Sequence, residues 1–111
     1  MNKTLTSLVV DLTASSSRLM EAKKALTIAN LSLAKVERVL AEKRNLAIVE
    51  GKASGSNETQ RNASLAILLA EDVKAVDAAT DAVTLAKLNV DLASIEHSTI
   101  KHSISAYTVE N

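Results

Sequence analysis

Glycine and proline, the two residues that most often interrupt helices, are almost missing from this chain of 111 residues. There is no proline, and the only glycines, Gly51 and Gly55, lie four residues apart near the middle of the sequence. Because helix interiors tolerate neither residue well, long segments without them favour uninterrupted helix. We therefore predict an all-α fold in which two long helices are joined by one turn.

Capping residues set the expected ends of these helices. Gly51 can adopt the left-handed conformation that ends a helix. Asn57, followed three residues later by Gln60, has the spacing of a capping box, and Ser56 is an alternative cap. A turn this short makes the helices antiparallel. The sequence thus predicts one helical-hairpin domain over 1–111, with helix 1 over about 4–49, a turn over 50–57 and helix 2 over about 58–107.

Apolar residues recur every seven positions on both sides of the turn, which is typical of coiled-coil packing. The ladder consists of Leu5, Leu12, Leu19, Leu26, Leu33 and Leu40 before the turn, and of Leu69, Val76, Val83, Val90, His97 and Ile104 after it. Smaller residues such as Ser15 and Ala86 lie three positions further on and allow a close approach of the two helices. No basic region precedes the ladder, which argues against a DNA-binding leucine zipper.

Zero net charge hides an uneven distribution of charge along the sequence. Lys and Arg outnumber Asp and Glu by eight to four before the turn, and the numbers are reversed after it. A basic helix paired with an acidic one favours pairing within the chain over pairing of identical helices.

A second set of apolar residues points away from the ladder on both helices. Its members are Ile28, Leu31, Leu85, Leu88, Leu92 and Ile95. A helix that is apolar on two faces is buried on two faces, and an isolated hairpin covers only one of them. We therefore expect a homo-oligomer, with a dimeric four-helix bundle as first choice and a higher ring or bundle as second. The alternative occupant is a different protein.

The composition argues against several classes of function. No cysteine, phenylalanine or tryptophan is present, and Tyr107 is the only aromatic residue. Thiolate metal sites and base-stacking platforms are therefore excluded, and nucleic acid is an unlikely partner. His97 and His102 lack metal-ligand spacing, and no base is expected near Ser15. We expect no enzyme, no cofactor, no membrane span and a cytoplasmic location; His97 is expected to be a tolerated seam residue or, alternatively, a pH-sensitive one.

Cations gather near the turn and form a candidate anion-binding site. The proposed binding residues are Lys43, Arg44, Lys52, Asn57 and Arg61. Free amides at a helix N-terminus together with nearby cations favour an anion. The alternative is that Arg61 pairs with Glu58 or Glu50 and braces the turn.

The segment Gly55–Leu65 resembles the turn G-[KS]-N-x-x-x-R-x-A-x-L of small helical proteins of unknown function encoded by bacteriophages and prophages. The resemblance implies that Asn57 caps helix 2 and that Arg61 braces the turn. It also implies an accessory role in recombination or replication, in the cytoplasm of a bacterial host. The different protein named above as the alternative occupant would then come from the host or from a phage.

Two functional hypotheses follow from these observations. The first is a non-enzymatic, self-associating protein of phage type that acts through protein–protein interaction, as a recombination or replication accessory or as a counter-defence inhibitor. The second is an oligomer that binds and sequesters an anionic nucleotide signal through the cations near the turn.

Overall fold

The computed structural model describes residues 4–110 and, within them, contains three helices and no strand. The helices are α1 (Leu5–Val49), α2 (Glu58–Leu68) and α3 (Ala70–Glu110). The prediction of an all-α hairpin is confirmed, and α1 begins and ends within one residue of its expected bounds. Lys3, counted above among the cations before the turn, lies outside the described residues, as do both ends of the domain predicted over 1–111.

The segment after the turn is not the single helix predicted over 58–107. It is divided at Leu69, whose φ of −103° and ψ of 12° depart from helical values. Backbone hydrogen bonds continue on both sides, from Leu69 N to Leu65 O (2.9 Å) and from Val73 N to Leu69 O (3.0 Å). Leu65 and Leu69 are both buried. The break therefore coincides with tertiary packing, and neither glycine nor proline marks it in the sequence.

The end of α1 is a Schellman motif built on Gly51. Its φ is +72°, which a residue with a side chain rarely adopts. Gly51 N donates to Ile48 O (3.1 Å), and Lys52 N donates to Ala47 O (2.9 Å). These two bonds satisfy carbonyl groups that the end of a helix leaves unpaired. The predicted role of Gly51 is therefore confirmed.

The start of α2 is capped by Asn57, as predicted. Its side-chain oxygen accepts a hydrogen bond from Gln60 N at 2.8 Å. The Gln60 side chain folds back and accepts from Ser56 N at 2.7 Å, one residue earlier than in a standard capping box. Gly55 makes this possible, because a Cβ there would lie 2.4 Å from Gln60 Cβ.

Contacts divide the chain into two compact units, each of which contains parts of α1 and α3. Unit 1 comprises Met1–Ile28 and Thr84–Asn111, and unit 2 comprises Ala29–Val83. Buried residues of unit 1 include Leu8, Ser15 and Ala86. Those of unit 2 are Ala47, Leu65, Leu69 and Val83. The inner seam of a unit is the contact of α1 with the helices after the turn, which are α3 in unit 1 and both α2 and α3 in unit 2.

The helices of unit 1 run antiparallel, as two polar contacts show. Ser15 of α1 contacts His97 of α3, and Arg18 of α1 contacts Glu96 of α3. Residue numbers therefore rise along α1 as they fall along α3. Within residues 4–110, none of the three helices combines the length and the continuous hydropathy that a membrane span requires.

Candidate interaction surfaces

The side of α3 that is turned away from α1 in unit 1 carries a row of large apolar residues. Leu85, Leu88, Leu92 and Ile95 are spaced three, four and three residues apart, which keeps them on one side of a helix. Each is more than half exposed, from 51% at Leu88 to 63% at Ile95. We call these four residues the outer face of α3. Within residues 4–110 each of them keeps more than half of its surface open, so this face is available to a partner.

Helix α1 has a corresponding surface in unit 1. Met20 is 66% exposed and Ile28 is 55% exposed, and both lie on the side of α1 opposite the inner seam. We call the surface around Met20, Lys24 and Ile28 the outer face of α1. Leu31, the remaining residue of the predicted interface, belongs to unit 2 and is 67% exposed. All six residues predicted to form an interface are thus exposed in the single chain.

The cations predicted to bind an anion are partly occupied by neighbouring carboxylates. Lys43 Nζ lies 2.8 Å from Asp72 Oδ1, across the inner seam of unit 2. Lys52 Nζ lies 2.8 Å from Glu50 Oε2 within the turn. An incoming anion would have to compete with both pairs, which lowers the positive potential that the sequence indicated.

Arg44 and Arg61 differ from these lysines, because neither has an ion-pair partner within residues 4–110. The predicted brace from Arg61 to Glu58 or Glu50 is therefore wrong in the described structure: Glu50 pairs with Lys52, and the side chain of Arg61 is exposed. Arg44 lines a groove of about 570 Å³ in unit 2. Lys43 and Lys52 line a separate groove of about 230 Å³.

The larger groove is mainly apolar. Its lining comprises Glu37, Leu40, Ala41, Arg44, Asn62, Leu65, Ala66, Leu69 and Val73. Asn57 and Arg61 are absent from this lining and from that of the smaller groove. The predicted binding residues are thus divided: Arg44 lines the larger groove, Lys43 and Lys52 line the smaller one, and Asn57 and Arg61 line neither. The open apolar lining of the larger groove suits a hydrophobic group better than a multiply charged nucleotide.

A contact between Ser15 and His97 in unit 1 was missed by the sequence reasoning, which expected no base near Ser15. Ser15 Oγ lies 2.8 Å from His97 Nδ1 and 3.0 Å from Leu12 O. A hydroxyl has one hydrogen, so if Ser15 donates it to the carbonyl of Leu12, His97 Nδ1–H donates to Ser15. Ser15 is only 1% exposed, so no substrate can reach its hydroxyl without opening the seam.

The position of this contact could have been found from the sequence. Ser15 and His97 both lie at seam positions of the seven-residue pattern. They are also nearly equidistant from the turn, so folding the chain at Gly55 brings them to the same level. The half-buried imidazole of His97 is a hydrogen-bond partner of the buried Ser15 hydroxyl, which removes the cost of leaving that hydroxyl unpaired in the seam.

Metal binding has no candidate in the described residues, which contain no group of three or more His, Asp or Glu side chains suited to hold an ion.

Comparison of the chain with protein-family models, with curated proteins and with solved structures gives no match. The exposed outer faces are therefore the strongest functional indication that the molecule itself offers.

Proposed function

We propose that this protein is a non-enzymatic interaction protein that self-associates through its outer faces. The observation that carries the proposal is the exposure of the six large apolar residues singled out above, each more than half accessible in the single chain. Exposing them to water is unfavourable by about 25 cal/mol per Å² of apolar surface, which association recovers. Scattered exposed leucines need no partner, but a regular row along one side of a helix does.

The seam of unit 1 supports the same proposal. Among its described residues only Leu8, Ser15 and Ala86 are fully buried, whereas Leu88 and Leu92 point outward. Two helices that fully bury so few side chains gain little free energy to offset the loss of chain entropy. A second copy packed on the outer faces supplies that missing burial.

The proposal extends to the biological setting that the turn implies. A phage-type accessory or counter-defence protein of this size acts by binding another protein, and a self-associated form presents several copies of one surface to it. Asn57 and Gly55 of the resembling turn fix the start of α2, so these residues serve structure and the proposal assigns the contact to the outer faces.

Light scattering of the purified chain tests self-association. We expect a mass above that of one chain at micromolar concentration, and a monomer for the double variant Leu88→Glu/Leu92→Glu. Two buried carboxylates in an apolar contact should weaken association by at least about 100-fold. Asn89→Glu is the matched control, because Asn89 is exposed beside the outer face and outside it. A monomeric wild-type chain would contradict the proposal.

The second candidate is sequestration of an anionic nucleotide. Its support is limited to Arg44 and Arg61, the two members of the cation cluster that have no ion-pair partner within residues 4–110. Titration calorimetry with cyclic dinucleotides as probes separates the two functions. Binding that is lost in Arg44→Ala and Arg61→Ala but kept in Leu88→Glu/Leu92→Glu would favour the nucleotide function.

A further inference from the structure

The two outer faces of unit 1 lie on opposite sides of the helix pair. Lys24 follows Ser15 by nine residues on α1, and Leu88 precedes His97 by nine on α3. Nine residues are about two and a half turns of α-helix, so each member of such a pair lies on the side opposite the other. Since Ser15 and His97 contact each other in the seam, Lys24 and Leu88 point away from it in opposite directions.

This arrangement limits which symmetry can bury both faces. A two-fold dimer places one face against its own copy and leaves the opposite face exposed. It also repeats each charge: Asp91 beside the outer face of α3 would approach a second acidic face, and Lys24 on α1 would approach a second basic one. Like charges brought together in this way oppose association.

Packing α1 of one copy against α3 of the next avoids both problems. Lys24 and Asp91 are exposed, and neither has an ion-pair partner over the described residues. Residues 20, 24 and 28 rise along α1 in steps of four, and residues 95, 91 and 88 descend along α3 in steps of four and three. A single antiparallel register therefore places each of these three positions on α1 opposite one of the three positions on α3. The resulting pairs are Met20 with Ile95, Lys24 with Asp91, and Ile28 with Leu88.

We propose that the outer face of α1 in one copy packs antiparallel on the outer face of α3 in a second copy, with Lys24 beside Asp91. This inference rests on the proposed function and specifies its geometry. The contact joins two different surfaces, so each added copy presents a fresh face for the next one. Such an assembly closes into a ring or continues as a filament, and it does not stop at two chains.

Unit 2 taken alone carries the same complementarity. Lys35 and Arg38 lie on the side of α1 away from the seam, and Asp77 and Asp81 lie on the corresponding side of α3. All four are exposed and lack an ion-pair partner within the part of the chain that the structure describes. Within unit 2 alone, residue numbers that rise along α1 and fall along α3 allow Lys35 to pair with Asp81 and Arg38 with Asp77.

Cross-linking between single-cysteine chains tests the proposal, since the natural chain has no cysteine to interfere. Lys24→Cys chains and Asp91→Cys chains are mixed in equal amounts, allowed to exchange, and treated with a short bis-maleimide. Mass spectrometry then identifies which chains are joined. We expect joined pairs of one Lys24→Cys chain and one Asp91→Cys chain, well above the share given by random pairing.

The other outcomes overturn the pairing. Predominant joining of Asp91→Cys chains to each other, or of Lys24→Cys chains to each other, indicates a two-fold contact. That result leaves self-association intact, so it is distinguishable from failure of the proposed function, which would give monomers in light scattering. Asn89→Cys in place of Asp91→Cys is the matched control and should join Lys24→Cys chains less often.

A charge exchange provides a second test that does not depend on cross-linking geometry. Lys24→Asp or Asp91→Lys alone should weaken association about 2- to 5-fold, the range of an exposed ion pair. The double variant Lys24→Asp/Asp91→Lys should recover the wild-type affinity, because every contact in the proposed assembly then holds the reversed pair. No recovery would contradict the proposed register, and circular dichroism verifies that all three variants remain helical.

Discussion

The inner seam and the outer faces of unit 1 differ in how far the chain covers their apolar residues. The seam buries Leu8, Ser15 and Ala86, whereas the outer face of α3 leaves Leu88 and Leu92 more than half exposed. A monomer selected for stability alone would cover its large apolar residues. The exposed leucines therefore fit the proposal that the outer faces are buried in an assembly.

The two surfaces also differ in how their polar groups are satisfied. Ser15 and His97 contact each other in the seam, and Arg18 and Glu96 form an ion pair beside it. Within the described residues the charges of the outer faces, such as Lys24, have no ion-pair partner. The polar groups named in the seam are therefore paired within one chain, whereas the charges of the outer faces are open to a partner, which the proposal identifies as another copy.

The largest expected effect on the folded chain comes from shortening a large seam residue. Leu65→Ala removes a side chain that is only 5% exposed and should lower the free energy of unfolding by about 2–4 kcal/mol. Chemical denaturation followed by circular dichroism measures this at high dilution, where association contributes least. Leu85→Ala, at a 59% exposed position, is the matched comparison and should cost much less under the same conditions.

Raising the protein concentration sharpens this contrast. Association of folded chains stabilises the folded state, so the free energy of unfolding of the wild-type chain should rise with protein concentration. Leu85→Ala should show a smaller rise with concentration than the wild-type chain. Leu65→Ala should show the full rise, although it starts from a lower free energy of unfolding. Equal loss from the two variants at high dilution would mean that the two surfaces do not differ as described.

The turn should affect the seam and spare the outer faces. Gly55→Ala places a Cβ 2.4 Å from Gln60 Cβ at a φ of +137°, so we expect a loss of about 1–3 kcal/mol in unfolding free energy. Gly51→Ala meets open space and retains only the strain of its positive φ, so it should cost less, about 1 kcal/mol. Thermal denaturation compares the two, and a Gly51→Ala cost above that of Gly55→Ala would contradict the role given to Gln60.

The smallest effect concerns the polar contact in the seam. Ser15→Ala removes the hydroxyl partner of His97 and should cost about 1 kcal/mol of unfolding free energy. Ser16→Ala, at the exposed neighbouring position, is the control and should change stability very little. Urea titration distinguishes the two variants, and identical midpoints would show that the seam gains nothing from this hydrogen bond.

Much of the fold could be predicted from the sequence because the decisive signals are local. The positive φ of Gly51 and the cap formed by Asn57 depend on a few neighbouring residues, and both agree with expectation. The break at Leu69 could not be predicted, because no local breaker causes it and it accompanies burial of Leu65 and Leu69.

The candidate sites were less predictable because they depend on distant partners. Lys43 was assigned to an anion site from its proximity to the turn, yet its ammonium pairs with Asp72, 29 residues away. Ser15 and His97 are 82 residues apart, and their contact depends on the register of the whole hairpin. The six residues predicted to form an interface are all exposed in the single chain, since helical periodicity alone determines which side of a helix they occupy.

The central claim is that the outer faces become buried between copies of the chain, and the rate of thiol labelling measures this burial at a single position. Leu92→Cys introduces the only thiol into a chain that has none, and Asn89→Cys is the control outside the outer face. As protein concentration rises, labelling of Leu92→Cys should slow while labelling of Asn89→Cys stays constant. Equal and unchanging rates at both positions across the concentration range would contradict the claim.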